Sequence, residues 1–275
     1  CNVEEEKFIE LNLYRGYNDQ ANIWWTRVDP NQFGSEVEEI EYKFYVQGGT
    51  GGIERWVYDP YTRVYSKDQR RLNCQVVDPT AFEWEDEAWE TPDMSNLIIY
   101  ELNVYGFTDG DSDIPLKEQS TFEGVISRIK NGYFEDLGVN TLALMPTSES
   151  WSSFGLGYDP CSFMSVEQDF GRPDDFRRLV DTAHRHDLAV IIDQVFNHTS
   201  NQFNPLWELI DDNSGGGGFY FSGSTQWGNR LATGKDEVDN MLIDSCKLFI
   251  EEYHVDGFRF DATHSYYMDH KLLYE

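Results

Sequence analysis

The stretch Ala189-Val-Ile-Ile-Asp193-Gln-Val-Phe-Asn197-His198 decides the fold prediction. It opens with a short, continuous apolar run, which is typical of a parallel strand covered on both faces. Polar residues follow where the run ends, and parallel α/β folds carry their chemistry at that end of a strand. The segment therefore predicts a buried strand over residues 189–195 with functional side chains at its carboxyl end.

Three further apolar runs alternate with segments whose apolar residues follow helical spacing. One predicted helix begins at a capping box, Ser120–Glu123, and continues to Leu137, and the next takes Asp174 as its cap. Repeating βα units favour a parallel sheet, either doubly wound or a (β/α)8 barrel. No GxGxxG motif stands at the first βα turn, which disfavours the nucleotide-binding alternative. The other strand runs are Leu97–Leu102, Thr141–Met145 and Gly257–Asp261, and a further helical stripe lies within Val238–Ile250.

The first 95 residues have a different pattern. Apolar residues alternate with polar ones over Ile9–Leu13 and again over Ile40–Val46, a period of two that marks half-buried strands. The glycine-rich residues 48–52 predict a turn between strands. We therefore expect a small antiparallel β-sandwich over residues 1–95, followed by about four βα units of a parallel α/β sheet over residues 96–275.

The composition excludes several classes of protein. With 21 Lys and Arg against 50 Asp and Glu the net charge is −29, which disfavours nucleic acid and anionic membrane surfaces as partners. The longest apolar runs fall short of the roughly 18–20 residues that a membrane-spanning segment needs. The four cysteines are too far apart for a zinc cluster and do not resemble a disulfide framework.

The amino terminus leaves the localisation open. The chain begins with Cys1 and not with Met, which indicates processing or an origin within a longer protein. Cys1 is compatible with a lipid-modified cysteine of a cell-surface lipoprotein, and a cytoplasmic location is the alternative.

Two strand ends carry the candidate catalytic residues. Arg259 and Asp261 are two apart on a strand, so their side chains face the same way and the arginine would hold the carboxylate ionised as a nucleophile. A structural ion pair is the alternative. Asn197 and His198 could contact a cation and a substrate hydroxyl, or brace a loop. Tyr158 could stack on a sugar ring or pack in a turn.

Other aromatic and histidine residues are less decisive. Five aromatic residues near the amino terminus could line a glucan-binding face, although core packing explains them as well. His184 and His186 flank Arg185 at a predicted helix end, which places them on a solvated face. The five aromatic residues are Trp24, Trp25, Trp56, Tyr58 and Trp84.

Taken together, these segments resemble the α-amylase superfamily, glycoside hydrolase family 13. The resemblance implies an α/β fold in two domains: an all-β, immunoglobulin-like sandwich over residues 1–95 and about the first four βα units of a (β/α)8 TIM barrel over residues 96–275. Residues 193–198 resemble its first signature, at the end of barrel strand three, and residues 257–262 resemble its second, at strand four. Gly157–Pro160 together with Phe170–Phe176 resembles the family's loop after strand two, and Ile99–Leu102 is similar to the first strand of branching and trehalose-releasing enzymes. A weaker match, over Trp56–Tyr61 and Phe82–Trp84, is to the β-sandwich module that precedes the barrel in those enzymes.

The resemblance implies a role for each matching residue. Asp261 would be the catalytic nucleophile and Arg259 its charge partner. His198 would contact the sugar in the reacting subsite, Tyr158 would stack beneath that sugar, and Asp193 would be a structural carboxylate of the substrate-binding set. Asn197 matches a position that ligates calcium in many relatives, so a structural calcium is possible although no cofactor is required.

The resemblance also implies a function. The expected activity is cleavage of α-1,4-glucosidic bonds in starch- or glycogen-like glucans by a retaining double displacement. Transfer by a 1,4-α-glucan branching enzyme is one alternative, and a catalytically inactive glucan-binding or partner protein is another. The family places its general acid after strand five, so we expect the chain to be the amino-terminal part of a larger enzyme and to be inactive alone.

Overall fold

The computed structural model describes residues 8–15, 22–33, 37–48, 53–66, 73–152, 156–210 and 217–274. They form two compact units, Cys1–Ile40 and Glu41–Glu275. The predicted domain boundary at residues 95 and 96 lies within the second unit. Within the described ranges, no helix has both the length and the apolar character that a membrane crossing requires.

The first unit contains a pair of short strands. Strand β1 (Asn12–Arg15) pairs antiparallel with β2 (Asn22–Trp25), and Leu13 lies opposite Trp24. Two 3-10 turns follow, Pro30–Phe33 and Val37–Glu39. The strand predicted from Ile9 therefore starts three residues later than expected.

The second unit begins with two more strand pairs. Strand β3 (Glu41–Tyr42) pairs with β6 (Cys74–Gln75), and β4 (Phe44–Gly48) pairs with β5 (Ile53–Val57). The single strand predicted over Ile40–Val46 is thus divided at Lys43. Residues 49–52 of the predicted turn lie outside the described residues. In the described part of this region the strands pair only two by two, and the immunoglobulin-like sandwich stays a prediction.

A four-stranded parallel sheet forms the centre of the second unit. Its strands lie side by side in the order of the chain, and all neighbouring pairs are parallel. The predicted α/β class is therefore confirmed, and each observed strand starts and ends within two residues of its prediction. The strands are β7 (Ile99–Leu102), β8 (Thr141–Leu144), β9 (Ala189–Gln194) and β13 (Gly257–Phe260).

Among the described residues, six α-helices occupy the connections and the segments beside them. The helix predicted up to Leu137 is broken at Gly132, whose φ of 81° turns the chain out of the helix. Both predicted caps are wrong: Thr121 and Arg172 occupy the N-cap positions instead of Ser120 and Asp174. The helices are α1 (Val104–Phe107), α2 (Phe122–Lys130), α3 (Tyr133–Leu137), α4 (Pro173–His184), α5 (Pro205–Leu209) and α6 (Asp236–Glu251).

Aromatic side chains fill the core between the sheet and these helices. Phe176 of α4 packs against Phe122 of α2 at a centroid distance of 5.1 Å and against Phe249 of α6 at 6.3 Å. All three side chains are fully buried. Full burial of such a side chain stabilises the fold by about 1.5–3 kcal/mol. The two ring contacts of Phe176 therefore help to hold α2, α4 and α6 together.

His184 is buried, which contradicts its predicted place on a solvated face. Its Nδ1 lies 2.8 Å from Asp86 Oδ2 and its Nε2 lies 3.0 Å from Asp256 Oδ2. Asp256 also accepts hydrogen bonds from the Trp89 indole (2.8 Å) and the Val190 backbone N–H (2.7 Å). This His184 cluster lies at the amino ends of β9 and β13, at the opposite edge of the sheet from the polar strand ends.

A small antiparallel sheet lies in the long segment after β9. Strand β12 (Asn229–Leu231) pairs with both β10 (His198–Thr199) and β11 (Phe221–Ser224). Gly228 lies directly against β10, because a Cβ there would be 2.0 Å from the carbonyl oxygen of Thr199. Only glycine fits this approach, which holds the β11–β12 hairpin over His198.

Candidate active site

The parallel register brings the predicted catalytic residues together. Asp193, near the end of β9, is the direct neighbour of Arg259 on β13. Asp261 follows β13, and its backbone N–H donates to the Gln194 carbonyl over 2.9 Å. Because both strands end at the same edge of the sheet, residues 66 and 68 positions apart in sequence share one site.

Arg259 bridges two carboxylates. Its Nη1 donates to Asp193 Oδ2 over 2.7 Å and to Asp261 Oδ1 over 2.8 Å. Burial lowers the pKa of Arg259, but the bonds to both carboxylates raise it more, so the net shift is upward and the guanidinium stays charged. The side chain of Asp193 is 4% exposed and that of Asp261 is 23% exposed. Asp261 is therefore the carboxylate of this pair that a ligand can reach.

Tyr158 extends the network from the loop after β8. Its hydroxyl donates to Asp193 Oδ2 over 2.6 Å. Burial and then the bond to Asp193 raise the pKa of Tyr158, so the phenol remains a hydrogen-bond donor. Burial raises the pKa of Asp193, and the bonds from Tyr158 and Arg259 offset only part of that effect. Asp193 Oδ1 is buried without a hydrogen-bond partner among the described residues.

Asn197 fixes the backbone at Asp261. Its Nδ2 donates to the Asp261 carbonyl over 3.0 Å and lies 3.5 Å from Asp261 Oδ2. The next residue, Ala262, has a φ of 45°, a left-handed conformation that non-glycine residues rarely adopt. Such strain concentrates at functional sites, and here it accompanies the turn that presents the Asp261 carboxylate.

His198 is buried between two acceptors. Its Nδ1 faces Asn197 Oδ1, and its Nε2 lies 3.2 Å from the carbonyl oxygen of Tyr158. Burial lowers the pKa of His198, while the Asp159 carboxylate opposes that shift. A neutral imidazole donates one hydrogen bond, so it satisfies only one of the two acceptors. The predicted contact between His198 and a sugar stays a prediction.

Asn197, the candidate calcium ligand, has a protein partner for each atom of its side-chain amide. Its oxygen faces His198 and its nitrogen donates to the Asp261 carbonyl. In the part of the chain that the structure describes, no group of three or more His, Cys, Asp or Glu side chains is placed to hold a metal. Structural calcium stays a prediction that these contacts do not support.

Comparison with known proteins identifies the family of this site. Residues 103–226 match the model of the alpha amylase catalytic domain. The chain is 35% identical over 264 residues to the malto-oligosyltrehalose trehalohydrolase of Saccharolobus solfataricus, covering 94% of this chain and 42% of that protein. The enzyme of the same name from Arthrobacter ramosus is 29% identical over 260 residues, covering 93% and 40% respectively. The chain belongs to the alpha-amylase family.

A solved pullulanase structure has a similar fold. The pullulanase of an Anoxybacillus species, determined with maltotriose bound, matches 96% of this chain and 42% of its own chain. The TM-score is 0.73 at 22% sequence identity, which shows the fold alone. The chain spans about two fifths of the length of the curated relatives named above.

The sequence did not single out Trp227 as part of this alpha-amylase-family site. Its ring centroid lies 5.6 Å from the His198 ring and 5.2 Å from the Tyr267 ring, and the residue is 43% exposed. Trp227 sits in the turn between β11 and β12, which the Gly228 approach holds against β10. One sequence feature could have pointed to Trp227. Aromatic residues stand at positions 227, 266 and 267, in two segments that each follow a strand with polar residues at its carboxyl end.

Proposed function

We propose that this chain carries the nucleophile of an enzyme that cleaves α-1,4-glucosidic bonds in starch- or glycogen-like glucans with retention. The observation that supports it is the Asp261 carboxylate, which is accessible and is held by Arg259 at the carboxyl edge of a parallel sheet. An accessible carboxylate that a charged partner holds in place can attack an anomeric carbon.

The proposed mechanism is a double displacement. An oxygen of Asp261 attacks the anomeric carbon and forms a covalent glycosyl–enzyme intermediate, while a second carboxylic acid protonates the leaving oxygen. That second group must lie about 5–5.5 Å from the nucleophile and later activates the attacking water. We assign it to no residue of the described ranges. Tyr158 and Asp193 hold Arg259 and the loop after β8 in position for the sugar.

We further propose that the four parallel strands belong to a (β/α)8 barrel. Strands β7, β8, β9 and β13 lie in chain order, whereas a doubly wound sheet reverses its order at a switch point. The catalytic edge of the sheet also carries every assigned site residue, as a barrel requires.

Hydrolysis is favoured over glycosyl transfer. The two curated relatives named above are trehalohydrolases, so malto-oligosyltrehalose is the first substrate to test. Hydrolysis of glucans would raise the number of reducing ends. A branching enzyme would shift iodine staining without new reducing ends, and an inactive binding protein would retain glucan without turnover.

The test is the substitution Asp261→Asn in the complete natural protein. We expect turnover to fall by about a thousandfold or more, because the amide cannot act as the nucleophile. Asp113→Asn is the matched control, since the Asp113 side chain is 76% exposed and pairs with Arg128 outside the site. Turnover within twofold of the wild type for Asp261→Asn would remove Asp261 as the nucleophile.

A further inference from the structure

Residues 84–91 lie against the amino ends of β9 and β13, and we call this segment the strap. Two of its tryptophans stack on histidines of the α/β part of the chain. Trp84 stacks on His254 at a centroid distance of 3.7 Å, and Trp89 stacks on His184 at 4.6 Å. The attachment of the strap to the sheet therefore depends on the state of two titratable rings.

The surroundings of His184 call for a proton on each ring nitrogen. Nδ1 lies 2.8 Å from Asp86 Oδ2 of the strap, and Nε2 lies 3.0 Å from Asp256 Oδ2. An ionised carboxylate only accepts hydrogen bonds, and a neutral imidazole donates only one. A neutral His184 would direct a bare nitrogen lone pair at a carboxylate oxygen, whereas an imidazolium donates to both carboxylates.

The two carboxylates also need a positive partner. The side chains of Asp86 and Asp256 are 7% and 3% exposed. Burial raises the pKa of each group, but the hydrogen bonds that each accepts lower it more, so both are ionised at neutral pH. Among the described residues, their ion-pair partners are histidines and not lysine or arginine. Because an unpaired buried charge is costly, the imidazole must carry the positive charge.

The other charged groups around His184 are accounted for. The Nδ1 atom of His254 lies 2.9 Å from the same strap oxygen that His184 faces, but the His254 side chain is 36% exposed. On the side of α4, the Glu85 backbone N–H donates to Asp181 Oδ1 over 2.7 Å, and Arg185 pairs with the Glu85 carboxylate. Neither of these α4 contacts involves an imidazole, so the two histidines are the groups that titrate between about pH 5 and pH 8.

We propose that the attachment of the strap is a pH switch, which is closed while His184 is an imidazolium between Asp86 and Asp256. At pH 6 the charged ring donates to both carboxylates and stabilises the attached strap. Loss of its proton as the pH rises leaves a bare ring nitrogen facing a buried carboxylate, so the strap detaches more often on the alkaline side. The cluster lies at the edge of the sheet opposite Asp261, and the proposal is independent of the proposed function.

Proteolytic cleavage of the strap measures how often it detaches. Glutamyl endopeptidase cuts after glutamate, and Glu87 is an exposed glutamate within the strap. The complete natural protein is treated with this protease at pH 6 and pH 8.5, and cleavage after Glu87 is followed by mass spectrometry. Each rate is divided by the rate for a free peptide of residues 82–93, which removes the pH dependence of the protease itself.

The normalised rate should rise by about tenfold or more between pH 6 and pH 8.5. Cleavage follows the population of the open form, and a hydrogen bond between charged groups stabilises the closed form by roughly that factor.

Two variants assign the rise to His184. His184→Gln cannot become cationic, so its normalised rate should be high and should differ by less than twofold between the two pH values. In Asp256→Asn the new amide can donate to the neutral ring, so the rise should disappear there as well. His186→Gln is the control, because His186 is exposed and lies only two residues from His184, and it should keep the wild-type rise.

Two results would overturn the proposal. A wild-type rate that is equal within twofold at pH 6 and pH 8.5 excludes the switch, whether or not the variants fold. A wild-type rise that persists in His184→Gln or in Asp256→Asn shows that another group titrates, and loss of the rise in His254→Gln alone would assign it to His254. Turnover enters none of these comparisons, so they stay valid if Asp261 is not the nucleophile.

Discussion

The hydroxyl of Tyr158 lies 2.6 Å from Asp193 Oδ2, so a loop side chain is fixed to a buried strand carboxylate. The same oxygen accepts from Arg259, which in turn holds Asp261. Tyr158 is thereby linked to the proposed nucleophile through two hydrogen-bonded partners. The ring that is proposed to stack on the sugar is held in place before the sugar arrives.

Tyr158→Phe should lower kcat/KM on malto-oligosaccharides by about tenfold to a hundredfold. The variant keeps the ring but loses a hydrogen bond to a charged group, which contributes about 1.5–3 kcal/mol. Tyr61→Phe is the control, because it removes a Tyr–Asp bond of 3.0 Å to Asp244 outside the site. If both variants have wild-type kcat/KM, the Tyr158–Asp193 bond does not position the site.

Glu167 should make the fold less stable as the pH rises. Burial and the neighbouring Glu149 raise the pKa of Glu167 to about 8, although Ser150 and the Asp169 N–H donate to it. Its folded pKa thus exceeds its unfolded value, so the folded state binds more protons between about pH 5 and pH 8. The free energy of unfolding therefore falls across that interval.

Glu167→Gln removes this titration. Thermal unfolding at pH 5 and pH 9 should show a smaller drop in Tm for the variant than for the wild type. The exposed Glu135→Gln serves as the control and should retain the wild-type drop. Equal drops in all three proteins would show that Glu167 titrates alike in the folded and unfolded chain.

Asp256→Asn should destabilise the fold by about 2–4 kcal/mol, since Asp256 is a buried carboxylate with several donors around it. Burial raises the pKa of Asp256, but the bonds from His184, Thr91, Val190 and Trp89 lower it below its usual value. This stabilisation is present above the unfolded pKa of about 3.9 and is lost as the pH falls through the lower folded pKa.

Urea unfolding at pH 7 and pH 3 checks the effect of Asp256→Asn. The difference in unfolding free energy between wild type and variant should be large at pH 7 and smaller at pH 3. The exposed Asp113→Asn is again the control. A difference that is the same at both pH values would show that ionisation of Asp256 contributes nothing.

Gly228→Ala should cost about 1–3 kcal/mol of stability, because the new Cβ would meet the Thr199 carbonyl oxygen at 2.0 Å. The same Cβ would lie 3.1 Å from the His198 ring, so kcat should fall as well. At Gly106 an added Cβ meets only Asn103 Oδ1 at an ordinary 3.5 Å, so Gly106→Ala is the control. Chemical denaturation and turnover are measured on both variants, and a Gly228→Ala protein as stable and active as the control contradicts the close approach.

The sequence was sufficient to place Asp193, Arg259 and Asp261 near each other. Continuous apolar runs marked the strands, and the parallel register then fixed which strand ends meet. Each strand could be recognised from its own residues. The geometry of a parallel sheet then brings the ends of strands that are distant in sequence into contact. The role of each residue in catalysis stays a prediction that the variants above test.

The start of α2 depends on a tertiary contact that the local sequence pattern does not show. The backbone N–H of Phe122, the first residue of α2, donates to the Phe170 carbonyl over 2.9 Å. Because a distant residue satisfies that donor, the helix does not require Ser120 as its cap, and Ser120 takes a φ of 61°. The local capping pattern therefore placed the start one residue too early.

The burial of His184 could not be predicted for a related reason. Its partners Asp86 and Asp256 lie 98 and 72 positions away in sequence. Separations this long lie beyond the periodicity of any one helix or strand, so no local pattern connects these residues. A histidine at a helix end is also more often exposed. Only the packing of three distant segments makes the environment of this imidazole.

The His184 cluster also constrains how the chain folds. Trp89 and Asp256 are 167 positions apart, so their hydrogen bond closes a long loop, and such contacts form slowly because the entropy of the loop is lost first. Trp89 stacks on His184 at a centroid distance of 4.6 Å, which makes its fluorescence sensitive to this closure. In stopped-flow refolding we expect the Trp89 signal to develop after the helical ellipticity, so that the amino ends of β9 and β13 are the last part of the sheet to become fixed.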